Sequence, residues 1–248
     1  MSNLCKGNRN MNTEQPFEFE ICANGVESCI EAQKGGATRV ELCASIPEGG
    51  TTPSMGEIAQ ARQMLTTTRL HVIIRPRGGD FVYSELEAQR MMADISLCKA
   101  LGVDGIAIGC LTREGDIDIE VCQQLMKAAQ GMAVTFHRAF DRARHPQKAL
   151  EDIISLGCQR LLTSGLASKA PDGLELLKQL NEQAQGRIQL MAGSGVNEDN
   201  ILHIHRETGI RQFHFSARSP VSHDPEFGDR LLTSQQRVRE TISRLTIS

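Results

Sequence analysis

What the chain lacks narrows its role first. It has no tryptophan, one tyrosine and eight phenylalanines in 248 residues. That is too few aromatic faces for the stacking platforms that hold single-stranded nucleic acid. It has no excess of positive charge: 27 Lys and Arg stand against 30 Asp and Glu, for a net charge of −3. With no basic run either, a binder of the phosphate backbone is excluded. No apolar run approaches the ~18 residues of a membrane span, and residues 1–16 are polar, without the apolar stretch of a secretory signal. No Cys-x-x-Cys occurs, which removes zinc ribbons and thioredoxin-type redox motifs. HExxH, Walker A and GxSxG are absent too. The expectation is a cytoplasmic protein with reduced thiols and neither a nucleic-acid nor a membrane partner.

What is present begins with eight cysteines (Cys5, Cys22, Cys29, Cys43, Cys98, Cys110, Cys122 and Cys158), in a chain too long to need disulfide staples. Beyond a polar tail at 1–16, read as flexible, short apolar runs alternate with amphipathic stretches and no linker divides the chain. Strands are expected at 17–23, 38–44, 70–75, 104–109, 132–139, 158–164, 187–192 and 210–217. Helices are expected at 25–35, 55–66, 84–101, 118–130, 146–156, 172–184, 197–207 and 234–245. Ser84-x-x-Glu87 has the form of a capping box, and Gly36, Gly102, Gly157 and Gly209 stand where helices should stop. Eight strand–helix units fit one (β/α)8 TIM barrel over 17–248 better than an open doubly wound sheet.

Alternation along each strand assigns the faces. Phe19, Ile21, Val40, Leu42, Val72, Ile74, Val134 and Phe136 would pack against helices. The lumen then receives Glu18, Glu20, Cys22, Arg39, Glu41, Cys43, His71, Ile73, Arg75, Thr135 and His137, with Arg77 just beyond the third strand. Ser164, Met191, Gly193, His214 and Ser216 come inward from the last three strands. Barrel enzymes build their sites at the C-terminal ends of the strands. A set of Glu20, Glu41, Arg75, Arg77, His137 and Ser164 at that end suits a small anionic metabolite, either a phosphorylated one or a carboxylic acid. In such an enzyme (a lyase, isomerase or hydrolase) His137 or Glu41 would be the general base and Arg75 the anion clamp. A charge-balanced ion network is the alternative reading of the same residues.

Two further features stand out. The repeat Glu-x-Cys-Ala at 20–23 and 41–44 places Cys22 and Cys43 on adjacent strands. Thiolates so placed suit a soft ion such as Cu(I), with Met191 a thioether neighbour, while spacing alone favours two small buried residues in the barrel layer. The Ala-Gly-Ser-Gly at 192–195, with Gly193, Ser194 and Gly195, follows the seventh strand where barrels often bind anions. The glycine-bearing loops at 48–54 and 75–81 lie on the same face.

The strings Glu20–Cys22, Val40–Ala44, EGGTTPS at 48–54, IIRPRGGDF at 73–81, VTFHRAFD at 134–141, LTSG at 162–165 and MAGSGV at 191–196 together resemble the CutC family of copper homeostasis proteins. The resemblance runs in order through nearly all of 17–220. It implies a cytoplasmic (β/α)8 barrel, homo-oligomeric as dimer or tetramer, that binds Cu(I) through cysteines, and it carries that role to Cys22 and Cys43. Some members have a second cysteine directly after the first; Ala23 stands there in this chain and removes one ligand.

Overall fold

The computed structural model describes residues 16–226 and 228–246; the expected tail, apart from Pro16, lies outside them. Eight parallel strands close into a barrel in sequential order. They are β1 (Glu18–Ala23), β2 (Arg39–Leu42), β3 (Arg69–Ile73), β4 (Gly105–Ile108), β5 (Ala133–Phe136), β6 (Arg160–Thr163), β7 (Gln189–Gly193) and β8 (Gln212–Phe215). The surrounding helices are α1 (Val26–Gly35), α2 (Met55–Met64), α3 (Glu85–Ala100), α4 (Ile119–Ala128), α5 (Pro146–Ser155), α6 (Leu174–Ala184), α7 (Ile201–Thr208) and α8 (Gln235–Thr246). The expected single-domain TIM barrel is therefore the fold. Among the described residues no helix is long and apolar enough to cross a membrane.

Local chemistry sets the element ends. The Ser84 side chain accepts from the Glu87 N–H while the Glu87 carboxylate accepts from the Ser84 N–H, the reciprocal capping box that starts α3. Gly36 ends α1 in the left-handed region at φ 95°, where its N–H reaches the Ala32 and Gln33 carbonyls.

The face assignment holds. Phe19, Ile21, Val40, Leu42, Val72, Ile74, Val134 and Phe136 all join the large apolar cluster between barrel and helices. Cys43, Ile73 and Ala107, with Cys22 and Ile46 packed beside them, form a separate small cluster inside the barrel.

Two expectations needed correcting. The fifth strand does not run to residue 139; it stops at Phe136, and a 3-10 turn over Arg138–Arg142 follows His137. Between β8 and α8 lies an antiparallel hairpin, β9 (Arg218–Asp224) with β10 (Gly228–Thr233), which the sequence pattern did not reveal. It is anchored to the barrel body by Asn24, whose amide donates to the Leu231 carbonyl at 2.7 Å, and by Ser28, which accepts from the Thr233 N–H at 3.1 Å.

Candidate metal centre and barrel mouth

The lumen is layered by height. In the lower layer the fully buried Arg39 pairs with Glu20 and, at 2.7 Å, with Glu18. His71 Nδ1 lies 3.9 Å from Glu20, and Arg160 donates to the Thr135 hydroxyl at 3.0 Å. This layer is a charge-balanced network, as buried ions require. Burial pushes the Glu20 carboxyl up, but the Arg39 guanidinium and His214 outweigh it and hold the group well below the ordinary carboxylate range. Met191 belongs here as well: its sulfur accepts from Arg39 Nη2 at 3.4 Å. It does not line the mouth where the cysteines lie, so it is not their thioether neighbour.

Above this layer opens a cavity of about 330 Å³. Its inner wall carries Cys22, Glu41, Cys43 and His214. In the β1–β2 register Cys22 faces Glu41, not Cys43, which stands one inward position higher. The two sulfurs nevertheless approach to 4.0 Å, and Cys43 Sγ lies 3.3 Å from Glu41 Oε2. One ligand atom from each of Cys22, Glu41 and Cys43 falls within 4.8 Å of the others, a spacing that can hold a metal ion.

The charges of this wall are interlocked. His214 Nδ1 sits 2.7 Å from Glu20 Oε1 and its Nε2 3.8 Å from Glu41 Oε2. Burial works against the imidazolium, but bonding to Cys22 and Glu20, with both carboxylate charges nearby, raises the His214 pKa well above its ordinary value. Hydrogen bonding from Cys43, opposed by burial and assisted by His214, brings the Cys22 thiol well below the usual range. The same sulfur–sulfur contact, with burial, raises Cys43. Burial pushes Glu41 up to about 8, with His214 opposing and the Glu20 and Cys22 charges adding to the rise. The wall therefore sets one readily ionised thiol, one resistant thiol and a readily protonated carboxyl around a histidine that favours its charged form.

On the opposite side stands His137, buried against Phe81 with ring centroids 5.3 Å apart. It fits because β4 is followed by Gly109, where a Cβ would meet the imidazole Nδ1 at 2.4 Å. Burial, with the nearby Arg75 charge, drops its pKa to about 3. The Ala139 N–H donates to Nδ1 at 3.2 Å, so the neutral ring carries its proton on Nε2. Of the two expected bases, this tautomer suits His137 to donating a hydrogen bond and leaves Glu41 as the proton acceptor.

The other expected residues divide. Arg75 lines the cavity, but its guanidinium donates to the carbonyls of Glu48, Gly50 and Gly79, each at 2.8 Å. It ties the loops after β2 and β3 together. Ser194, Gly195 and Ser216 also line the cavity. Arg77, Ser164 and Gly193 are not among its lining residues. Arg77 turns outward to Glu87 at 2.6 Å and Asp80 at 2.9 Å. The Ser164 hydroxyl binds Asp141 at 2.9 Å, in a knot where Asp141 also accepts from Thr163 and Arg138. At Gly193 a Cβ would strike Leu162 Cδ1 at 2.4 Å, so its role is close packing.

Arg138 and Arg218 line the cavity although parity did not select them. Arg138 sits on the turn that replaced the end of β5, and Arg218 opens the unforeseen hairpin. Ser45, Leu166, Ser194 and Ala217 adopt left-handed backbone at φ 46°, 60°, 74° and 44°. All four follow barrel strands on this face, and such strained positions gather at functional sites.

A family model described as "CutC family" matches residues 17–219. A Bacteroides thetaiotaomicron family protein CutC is 57% identical over 244 residues, covering 92% of this chain and 98% of the relative. The human protein named copper homeostasis protein cutC homolog is 49% identical over 203 residues, 82% of this chain and 74% of its own length. The Streptococcus agalactiae CutC crystal structure superposes with a TM-score of 0.78 at 37% identity, covering 81% of this chain and 98% of that one. Phosphoribosylanthranilate isomerase from Thermotoga maritima matches with a TM-score of 0.59 at 12% identity, over 94% of this chain and all of its own (100%), a likeness of fold alone.

Proposed function

The chain belongs to the CutC family, and from that premise we propose that it binds Cu(I) in the cytoplasm through Cys22 and Cys43. One observation carries this reading: two sulfurs from neighbouring strands stand 4.0 Å apart on the wall of one cavity. Two thiolate–metal bonds of ~2.3 Å span that separation. The donors fit the ion as well. Sulfur is the soft ligand that selects Cu(I), and the lowered Cys22 pKa eases loss of the proton that a bound metal must displace. Copper here is cargo; Cys22 and Cys43 hold it, His214 supplies compensating positive charge, and Glu41 takes or releases a proton as charge enters. Assembly as a dimer or tetramer is carried by the family resemblance. Anaerobic Cu(I) titration against a competing chelator tests the site. Cys22→Ser and Cys43→Ser should each weaken binding at least tenfold, since even outer-shell partners contribute 10–100-fold; unchanged affinity refutes it.

A second reading has its own support. Glu41, raised to about 8, faces a cavity that also carries a neutral, proton-bearing His137 and three arginines, Arg75, Arg138 and Arg218. That is the arrangement of a general base set against groups that bind a small anion. In this reading the chain is an enzyme on a small anionic metabolite. Turnover lost in Glu41→Gln, with substrate binding retained, would support it.

A further inference from the structure

The rim of the cavity over the ends of β7 and β8 carries hydrogen-bond donors that the protein itself leaves unused. Among the described residues, the N–H groups of Gly195 and Val196 have no acceptor, and neither the Ser216 hydroxyl nor the Arg218 guanidinium makes a hydrogen bond. All four residues line the cavity. Ser194 and Gly195 hold successive left-handed backbone, φ 74° and 70°, which turns the chain sharply just after β7. Ser194 is fixed there by its own hydroxyl, which donates to the Ser168 carbonyl at 2.8 Å. Across the cavity, His137 Nε2 is buried and has no hydrogen-bond partner, although the ring is only 4% exposed. A buried donor without an acceptor costs roughly 1–3 kcal/mol, and a native structure that keeps one calls for an explanation such as a missing ligand.

The chemistry of that ligand follows from the donors. They come from two separate chain segments, after β7 and after β8, and combine backbone amides, a hydroxyl and a guanidinium fork. Four donors of three kinds from two segments outnumber what the two coplanar oxygens of a carboxylate need and suit the terminal oxygens of a tetrahedral dianion. The loops after the seventh and eighth strands are also where TIM barrels most often seat a phosphate. The cations Arg138 and Arg218 line this space, and the Arg218 charge also reaches Cys22. At about 330 Å³ the cavity is near the small end of ligand sites, which limits the organic part to a few carbon atoms.

We propose that this rim is a phosphate subsite. Gly195 N–H, Val196 N–H, Ser216 Oγ and Arg218 receive the phosphate of a small phosphomonoester, and His137 Nε2 donates to an oxygen of its organic part. The inference deepens the enzyme reading by naming its substrate class. Because it is tested by binding, its failure and the failure of turnover are separate results.

Isothermal titration of the full chain with inorganic phosphate, and competition by methyl phosphate, at fixed pH and salt, provides the test. Saturable binding at one site per chain is expected, with methyl phosphate displacing phosphate. Arg218→Gln should weaken binding about tenfold or more, Arg218→Lys less, and Ser216→Ala should add to the Arg218→Gln loss. Arg90→Gln, on the outer surface of α3, should leave it unchanged. Thermal unfolding of each variant identifies any that fails to fold. The proposal is overturned if saturable binding is absent, if Arg218→Gln binds like wild type, if Arg90→Gln loses as much as Arg218→Gln, or if methyl phosphate does not compete.

Discussion

The His214 ring is fixed on the Glu20 carboxylate, with Nδ1 2.7 Å from Oε1. This bond joins the two layers of the lumen, because Glu20 also pairs with Arg39 below while His214 faces Cys22 and Glu41 above. The charge that steadies the Cys22 thiolate is thus supported from the bottom of the barrel.

Removing that charge should change the reactivity of Cys22. In His214→Asn the onset of Cys22 alkylation with pH, followed by mass spectrometry, should move upward by at least about one unit, the scale of a lost neighbouring charge. In the wild type Cys22 should react at a lower pH than an ordinary thiol. An onset that stays in place in the variant would show that His214 does not stabilise the thiolate.

Glu41 gives a pH dependence of definite sign. Its folded pKa, about 8, lies above its unfolded value. The folded state therefore holds its proton more tightly, and stability declines as pH rises from about 4.5 through 8. Glu41→Gln cannot ionise and escapes that decline. Denaturant melts should show the variant gaining on wild type by about 4 kcal/mol at pH 8, with little difference at pH 4.5. Parallel pH profiles for the two proteins would contradict the assignment.

Gly109 tests how His137 is held. A Cβ there would meet the ring at 2.4 Å from Nδ1 and 2.5 Å from Cε1. Gly109→Ala should destabilise the fold by about 1–3 kcal/mol, the usual cost of overpacking a filled core. The His137 imidazole resonances should shift in NMR spectra. Cu(I) affinity should change little, since His137 lies across the cavity from the cysteines.

Much of the barrel was legible because strand parity is a strict period of two and the outward faces are apolar. Glu20, Cys22, Glu41, Cys43, His137 and His214 were placed inward on that basis, and the structure has them there. Parity gives direction but not height. Met191 points into the lumen as expected yet sits level with Arg39, because height depends on strand tilt and stagger around the whole barrel. Arg77 lies four residues past the end of β3 and, freed from the ladder, turns to Glu87. The hairpin escaped notice because most of β9 and the first half of β10 are exposed, so no buried face imposes alternation. With it went Arg218. Arg138 was hidden because the strand ended one residue before His137, and the turn that follows re-aims its side chain.

The central claim is that one soft ion is shared by the sulfurs of Cys22 and Cys43. X-ray absorption on the chain loaded anaerobically with one equivalent of Cu(I) reads the ligands directly. Two sulfur scatterers in the first shell are predicted, falling to one in Cys43→Ser. A first shell of nitrogen and oxygen alone, or a sulfur count that Cys22→Ser and Cys43→Ser leave unchanged, would contradict it.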